Sequence, residues 1–138
     1  MALANSHPDI DAVMDILGVC VLADRLERDV ELIEFVDGVQ RLARNIAPER
    51  IVSRGELLEW FSANKERLCA IHDDDAAKRE LLSRVTDIKL RHDTLVAIFS
   101  ICVCDYHMAD EESAFLALAI DEWKPGAPLT AEALEAIA

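Results

Sequence analysis

The sequence predicts an all-α protein: a compact bundle of about seven helices, forming one domain over residues 1–138. Three observations predict it. Apolar residues recur at helical spacing along most of the chain. No run alternates apolar and polar residues as a half-buried strand would. Ala, Leu, Glu and Asp dominate, while Gly and Pro number only four each, a composition that favours helix over chains of tight turns. At 138 residues the chain is long enough to bury about two-thirds of its unfolded surface in a core.

The first helix is expected from Pro8 or Asp9 to Ala23. Pro8 suits a first turn, and Ile10, Val13, Met14, Leu17, Cys20 and Val21 form a stripe of helical period. A charged break, Asp24 to Asp29, separates it from a second helix that Asp29 would cap and Pro48 would stop. That helix should turn Leu32, Val36, Val39, Ala43 and Ile46 inward. Ser53 with Glu56 three residues on makes a capping box for the third helix, whose inward residues are Leu57, Trp60, Phe61, Leu68 and Ile71. Asp73-Asp74-Asp75 opens a fourth helix reaching about Val85, its acids favoured by the helix dipole. The fifth covers about Lys89 to Cys104, with Leu95, Ile98, Phe99 and Cys102 on one stripe. A second acidic break, Asp105 to Asp110, precedes a sixth helix to about Trp123. Pro125, Gly126 and Pro128 then link to a short seventh, capped by Thr130 and stapled by Leu129 and Leu134.

The formal net charge of −13, from 27 acidic and 14 basic side chains, disfavours nucleic acid and anionic membranes as partners. It suits a cation, a basic protein partner or plain solubility, and leaves a protein partner or homo-oligomer open. The four cysteines lie in apolar helical stretches and read as reduced core residues. The first residues read as no signal peptide, and no apolar run is long enough to span a bilayer, so the cytoplasm is the expected location.

The two acidic breaks match each other. Val21-Leu22-Ala23-Asp24 is followed by six residues and Glu31. Cys102-Val103-Cys104-Asp105 is followed by six residues and Glu112. Both acids of the second break lie 81 positions after their counterparts, and Phe35 and Leu116 keep the same register. The pattern suggests a duplicated helix-loop-helix. If the two hairpins pack about a pseudo-two-fold axis, four carboxylates converge, and four acids brought together call for a counter-charge. Carboxylate oxygens suit Ca²⁺, Mg²⁺ or Mn²⁺. Against this, Asp at a helix cap and Glu in a first turn are ordinary, and Arg25 and Arg28 would neutralise the second break across the pseudo-axis with no metal at all.

These residues, Ala23-Asp24 through Glu31 and Cys104-Asp105 through Glu112, together with the stretch Glu112 to Ala119, resemble the TerB family of tellurite-resistance proteins and its TerB-like relatives. The resemblance covers about residues 9–124. It implies an all-helical fold of about seven helices with internal pseudo-symmetry, a cytoplasmic bacterial setting linked to tellurite or general stress, and a metal ion held by Asp24, Glu31, Asp105 and Glu112. Arg25 and Tyr106 stand where the family carries Gly after its Asp.

No catalytic constellation is legible, and the expectation is a protein that is not an enzyme. The loops lack the alternating ligands and central Gly of an EF-hand. Cys102 and Cys104 point about 200° apart on a helix and make no zinc pair. His72-Asp73 and His92-Asp93 supply the dipeptide of a His-Asp metal-dependent phosphohydrolase, but nothing in the sequence fixes a further His and Asp beside either. His7 is read as part of a loose terminus and His92 as an exposed residue. An interaction module is the other reading, with the acids as caps, His72 to Asp75 as an acidic docking patch or a solvated helix start, and Trp60 and Trp123 as interface anchors or core residues.

Overall fold

The computed structural model describes residues 7–23, 29–104 and 110–123, the last segment with side chains from residue 113 onward. These residues form six helices: α1 (Pro8–Val21), α2 (Asp29–Ile46), α3 (Arg54–His72), α4 (Asp75–Ser83), α5 (Ile88–Val103) and α6 (Asp110–Trp123). Among the described residues there is no strand. The expected seventh helix, with Thr130, Leu129 and Leu134, falls outside them.

α1 is the axle of the bundle. The sequence suggested a single apolar stripe, and all six stripe residues are indeed buried. But Ala12, Ile16, Gly18 and Val19 on the remaining faces are buried too. A helix apolar over most of its circumference has to be enclosed on most sides, and α1 contacts each of the five other helices while Asp11 in its first turn stays exposed. The helix starts where Pro8 sits in its first turn, with His7 as the N-cap, its Nδ1 accepting the Asp9 N–H at 3.2 Å. His7 is thus an ordered cap, not a loose end: an imidazole lone pair satisfies one of the amide donors that every helix start leaves open.

Two glycines allow the close packing. A Cβ on Gly18 would sit 2.8 Å from Leu68 Cδ1 on α3. One on Gly38 of α2 would sit 3.3 Å from Leu17 Cδ1 and 3.6 Å from the Ala97 Cβ of α5. α2 therefore lies wedged against both α1 and α5. This explains why its buried face is wider than predicted: Phe35 and Leu42 are buried beside Val36, Val39 and Ala43, whereas Leu32 and Ile46 are half-buried at its margins. Phe35 forms an aromatic cluster with Trp60, with centroids 6.2 Å apart and rings nearly parallel, and with Phe61, at 5.4 Å.

The caps follow the sequence closely. Ser53 Oγ accepts the Glu56 N–H at 3.1 Å and donates to Glu56 Oε1 at 3.0 Å. Asp74, the middle acid of its triplet, caps α4 through the Ala76 and Ala77 amides. Asp87 caps α5 through the Leu90 N–H at 2.8 Å, which moves that helix start one residue ahead of Lys89. Trp60 and Trp123 are core residues; the Trp123 indole N–H donates to the Leu82 carbonyl at 2.8 Å, fastening α6 to α4. No helix among the described residues is long and apolar enough to cross a membrane.

Candidate functional site at the paired helix ends

α1 and α5 run in the same direction. Their first turns flank one groove, where His7 and Asp9 meet Asp87, Lys89 and Leu90. Their last turns touch, where Cys20 Sγ lies 3.9 Å from both the Ile98 carbonyl oxygen and Cys102 Sγ. α2 runs opposite to both, since Gly38 lies against Ala97 while Asn45 lies near Asp93. The end of the bundle that carries the last turns of α1 and α5 therefore also carries the first turn of α2. These are the helix ends that flank the first acidic break and lead into the second.

Of the four candidate metal-binding acids, Glu31 is the one whose side chain is described. It sits in the first turn of α2 and is 1% exposed. Burial of a carboxylate is costly unless it is charge-paired or hydrogen-bonded, and Glu31 is engaged in an interaction. Asp24 and Asp105 fall outside the described residues, as do the Glu112 side chain and Arg25 and Arg28. Neither α1 nor α5 carries a basic residue in its last turn. Two helix C-termini side by side put two negative dipole ends at this site.

Among the described residues, no three His, Cys, Asp or Glu side chains are grouped to hold a metal ion. His72 ends α3 and Asp73 is its C-cap, while His92 and Asp93 lie on α5, so the two His-Asp dipeptides belong to separate elements. His92 is half-buried, not exposed: with Gly38, Arg41, Asn45 and Asp93 it lines a cleft of about 140 Å³ between α2 and α5. This cleft shares Asn45 and Asp93 with the groove at the first turns of α1 and α5, about 210 Å³ in volume. Asp73, Asp74 and Asp75 are exposed, as a solvated helix start would be.

No protein-family model, curated protein or solved structure matches the chain. The geometry of its own residues is therefore the basis for any functional reading.

A charged cluster that the sequence reading missed lies midway along α1. Asp15, 6% exposed, receives a forked pair of hydrogen bonds from Arg67 of α3, Nη2 to Oδ1 at 2.8 Å and Nη1 to Oδ2 at 3.0 Å. Arg67 Nε donates to Asn64 Oδ1 at 3.2 Å, and Asn64 Nδ2 donates to the Trp60 carbonyl at 2.8 Å. Arg84, just past α4, adds a second cation 3.8 Å from Asp15. The signal was present: Asp15 is an acid set between Met14 and Ile16 in an otherwise apolar run. The cluster binds α1 to α3 and α4, and every group in it is matched to a partner of this chain, so it reads as a structural clamp.

One turn earlier, the Asp11 carboxyl is pushed above the ordinary carboxylate range, chiefly by loss of solvent and further by the charge of Asp15, with His7 pulling the other way. A raised folded-state pKa favours the fold at low pH and stops doing so as pH rises through it. Asp11→Asn should accordingly gain stability relative to the parent on going from below about pH 3.9 to neutral. Thermal midpoints of both proteins across that range test this; a constant difference would refute it.

Proposed function

We propose that this chain is a TerB-like helical domain that holds a divalent cation, Ca²⁺, Mg²⁺ or Mn²⁺, between Asp24, Glu31, Asp105 and Glu112, within a bacterial tellurite-resistance or stress-related system. The observation that supports it is the contact between Cys20 and Cys102. It sets the residues just ahead of the two matching acidic breaks side by side, which is what a duplicated hairpin with converging acids requires. The burial of Glu31 at the same end of the bundle agrees with a carboxylate that faces inward and not toward solvent. The adjoining C-termini of α1 and α5, free of basic residues in their last turns, favour a positive charge there.

A cation that binds the folded state alone raises its stability by about 2.7 kcal/mol at a hundredfold excess over Kd. Metal-free protein titrated with each ion should show a melting midpoint that climbs with concentration, and Asp105→Asn and Glu112→Gln should each abolish the climb. An unchanged midpoint at millimolar ion would sink the proposal. A climb that survives both substitutions would put the site elsewhere.

A second reading is a docking domain whose acids only cap helices and which meets a protein partner or another copy of itself. Val30 and Ile33, three residues apart at the start of α2, are 42% and 49% exposed and favour it. This reading expects no response to any of the three ions.

A further inference from the structure

We propose that Cys20 and Cys102 are an oxidative modification site, joining in a reversible intramolecular disulfide when the protein meets a peroxide. The two thiols come from positions 82 residues apart, one on the last turn of α1 and one on the last turn of α5. Their sulfurs are in van der Waals contact at 3.9 Å, and both side chains are fully buried. A disulfide needs about 2.05 Å, so the sulfurs must close by a little under half their separation. Neither thiol has exposed surface, and Val21, Leu22 and Ala23 beyond Cys20 are buried too, so the closing movement requires a local opening of these helix ends. The same opening admits the oxidant.

The other two cysteines are placed differently. Cys104 donates to the Ile101 carbonyl at 3.2 Å and is half-buried, and Cys69 is half-buried on α3. Cys102 and Cys104 are two residues apart at the end of one helix and face different ways.

The chemistry balances with a peroxide as the only co-reactant. One cysteine, as its thiolate, attacks a peroxide oxygen; an S–O bond forms, the O–O bond breaks, and the departing hydroxide takes a proton to become water. The second cysteine attacks the resulting sulfenic sulfur; the S–S bond forms, the S–O bond breaks, and a second water leaves. Two thiols lose two electrons and the peroxide gains them. A reducing dithiol reverses the bond by thiol–disulfide exchange. The bond would lock together the two helix ends that carry the acidic breaks, and it needs no bound cation, so it stands or falls separately from the proposed function.

The test treats the reduced full chain with hydrogen peroxide, blocks remaining thiols with an alkylating agent, and maps linkages by mass spectrometry without reduction. The expected result is one intramolecular Cys20–Cys102 link, reversed by dithiothreitol and retained in Cys69→Ser and Cys104→Ser. Both substituted cysteines are half-buried, so these variants should keep the fold. The linked form should melt above the reduced form, since the bond closes a long loop in the unfolded chain. Links to Cys69 or Cys104, links only between molecules, or sulfinic acid without a link would overturn the proposal. So would pairing that appears only in denaturant.

Discussion

Phe35→Ala is expected to cost about 3–5 kcal/mol of unfolding free energy, the usual range for deleting a buried aromatic ring. The position is chosen for its surroundings. Phe35 has no exposed surface, lies nearly parallel to Trp60, and packs tilted against Phe61, so its removal strips one ring from two aromatic contacts at once. The neighbours have little freedom to refill the space, because α2 is pinned at Gly38 between Leu17 and Ala97. Phe35→Leu, which keeps much of the volume, should recover more than half of the loss. Urea unfolding of the three proteins with a common slope decides the matter. A loss under about 1 kcal/mol for the alanine variant would mean that α2 does not hold its ring in this cluster.

Arg67→Met should be the second most damaging change, at about 2–3 kcal/mol, below the 3–5 kcal/mol seen when a fully buried pair is broken. The asymmetry of the pair sets that size. The Asp15 side chain is 9% exposed and that of Arg67 is 47% exposed, so the arginine is wet on its outer side while the aspartate has few other partners. Methionine keeps much of the length of the arginine stem but removes both charged donors and the guanidinium that lies 6.0 Å over the Trp60 ring, leaving Arg84 at 3.8 Å as the remaining cation. The double variant Asp15→Leu/Arg67→Met should be more stable than Arg67→Met alone, because no carboxylate is then left stranded. A double variant as unstable as the sum of its singles would show that the two residues do not act as a pair.

The helices were legible because they announce themselves locally. Ser53 with Glu56 and Asp74 within its triplet each mark a helix start through bonds to residues two or three positions away, and Pro8 marks one by its place in the first turn. Where the deciding contact is distant in sequence, the reading failed. Phe35 and Leu42 were left off the α2 face because a single stripe was drawn, whereas contact with α1, α3 and α5 together buries a broader one. The Asp15–Arg67 clamp spans 52 residues and the Cys20–Cys102 contact 82, and no periodicity encodes such pairings. For the candidate cation site, the sequence named four acids. The structure brings the flanking helix ends together and buries Glu31, while Asp24, Asp105 and the Glu112 side chain lie outside its described residues.

The enclosure of α1 also constrains how the chain can assemble. A helix buried along most of its length depends on its neighbours for a stable place, and the last of these, α6, is the final helix described. α1 packs most extensively against α2, its neighbour in the chain, so this hairpin does not depend on the distant helices to form. The contacts of α1 with α3 to α6 span longer stretches of chain and carry a larger loop-closure cost. Removing α6 would uncover α4 and α5 most, and part of the central α1 as well.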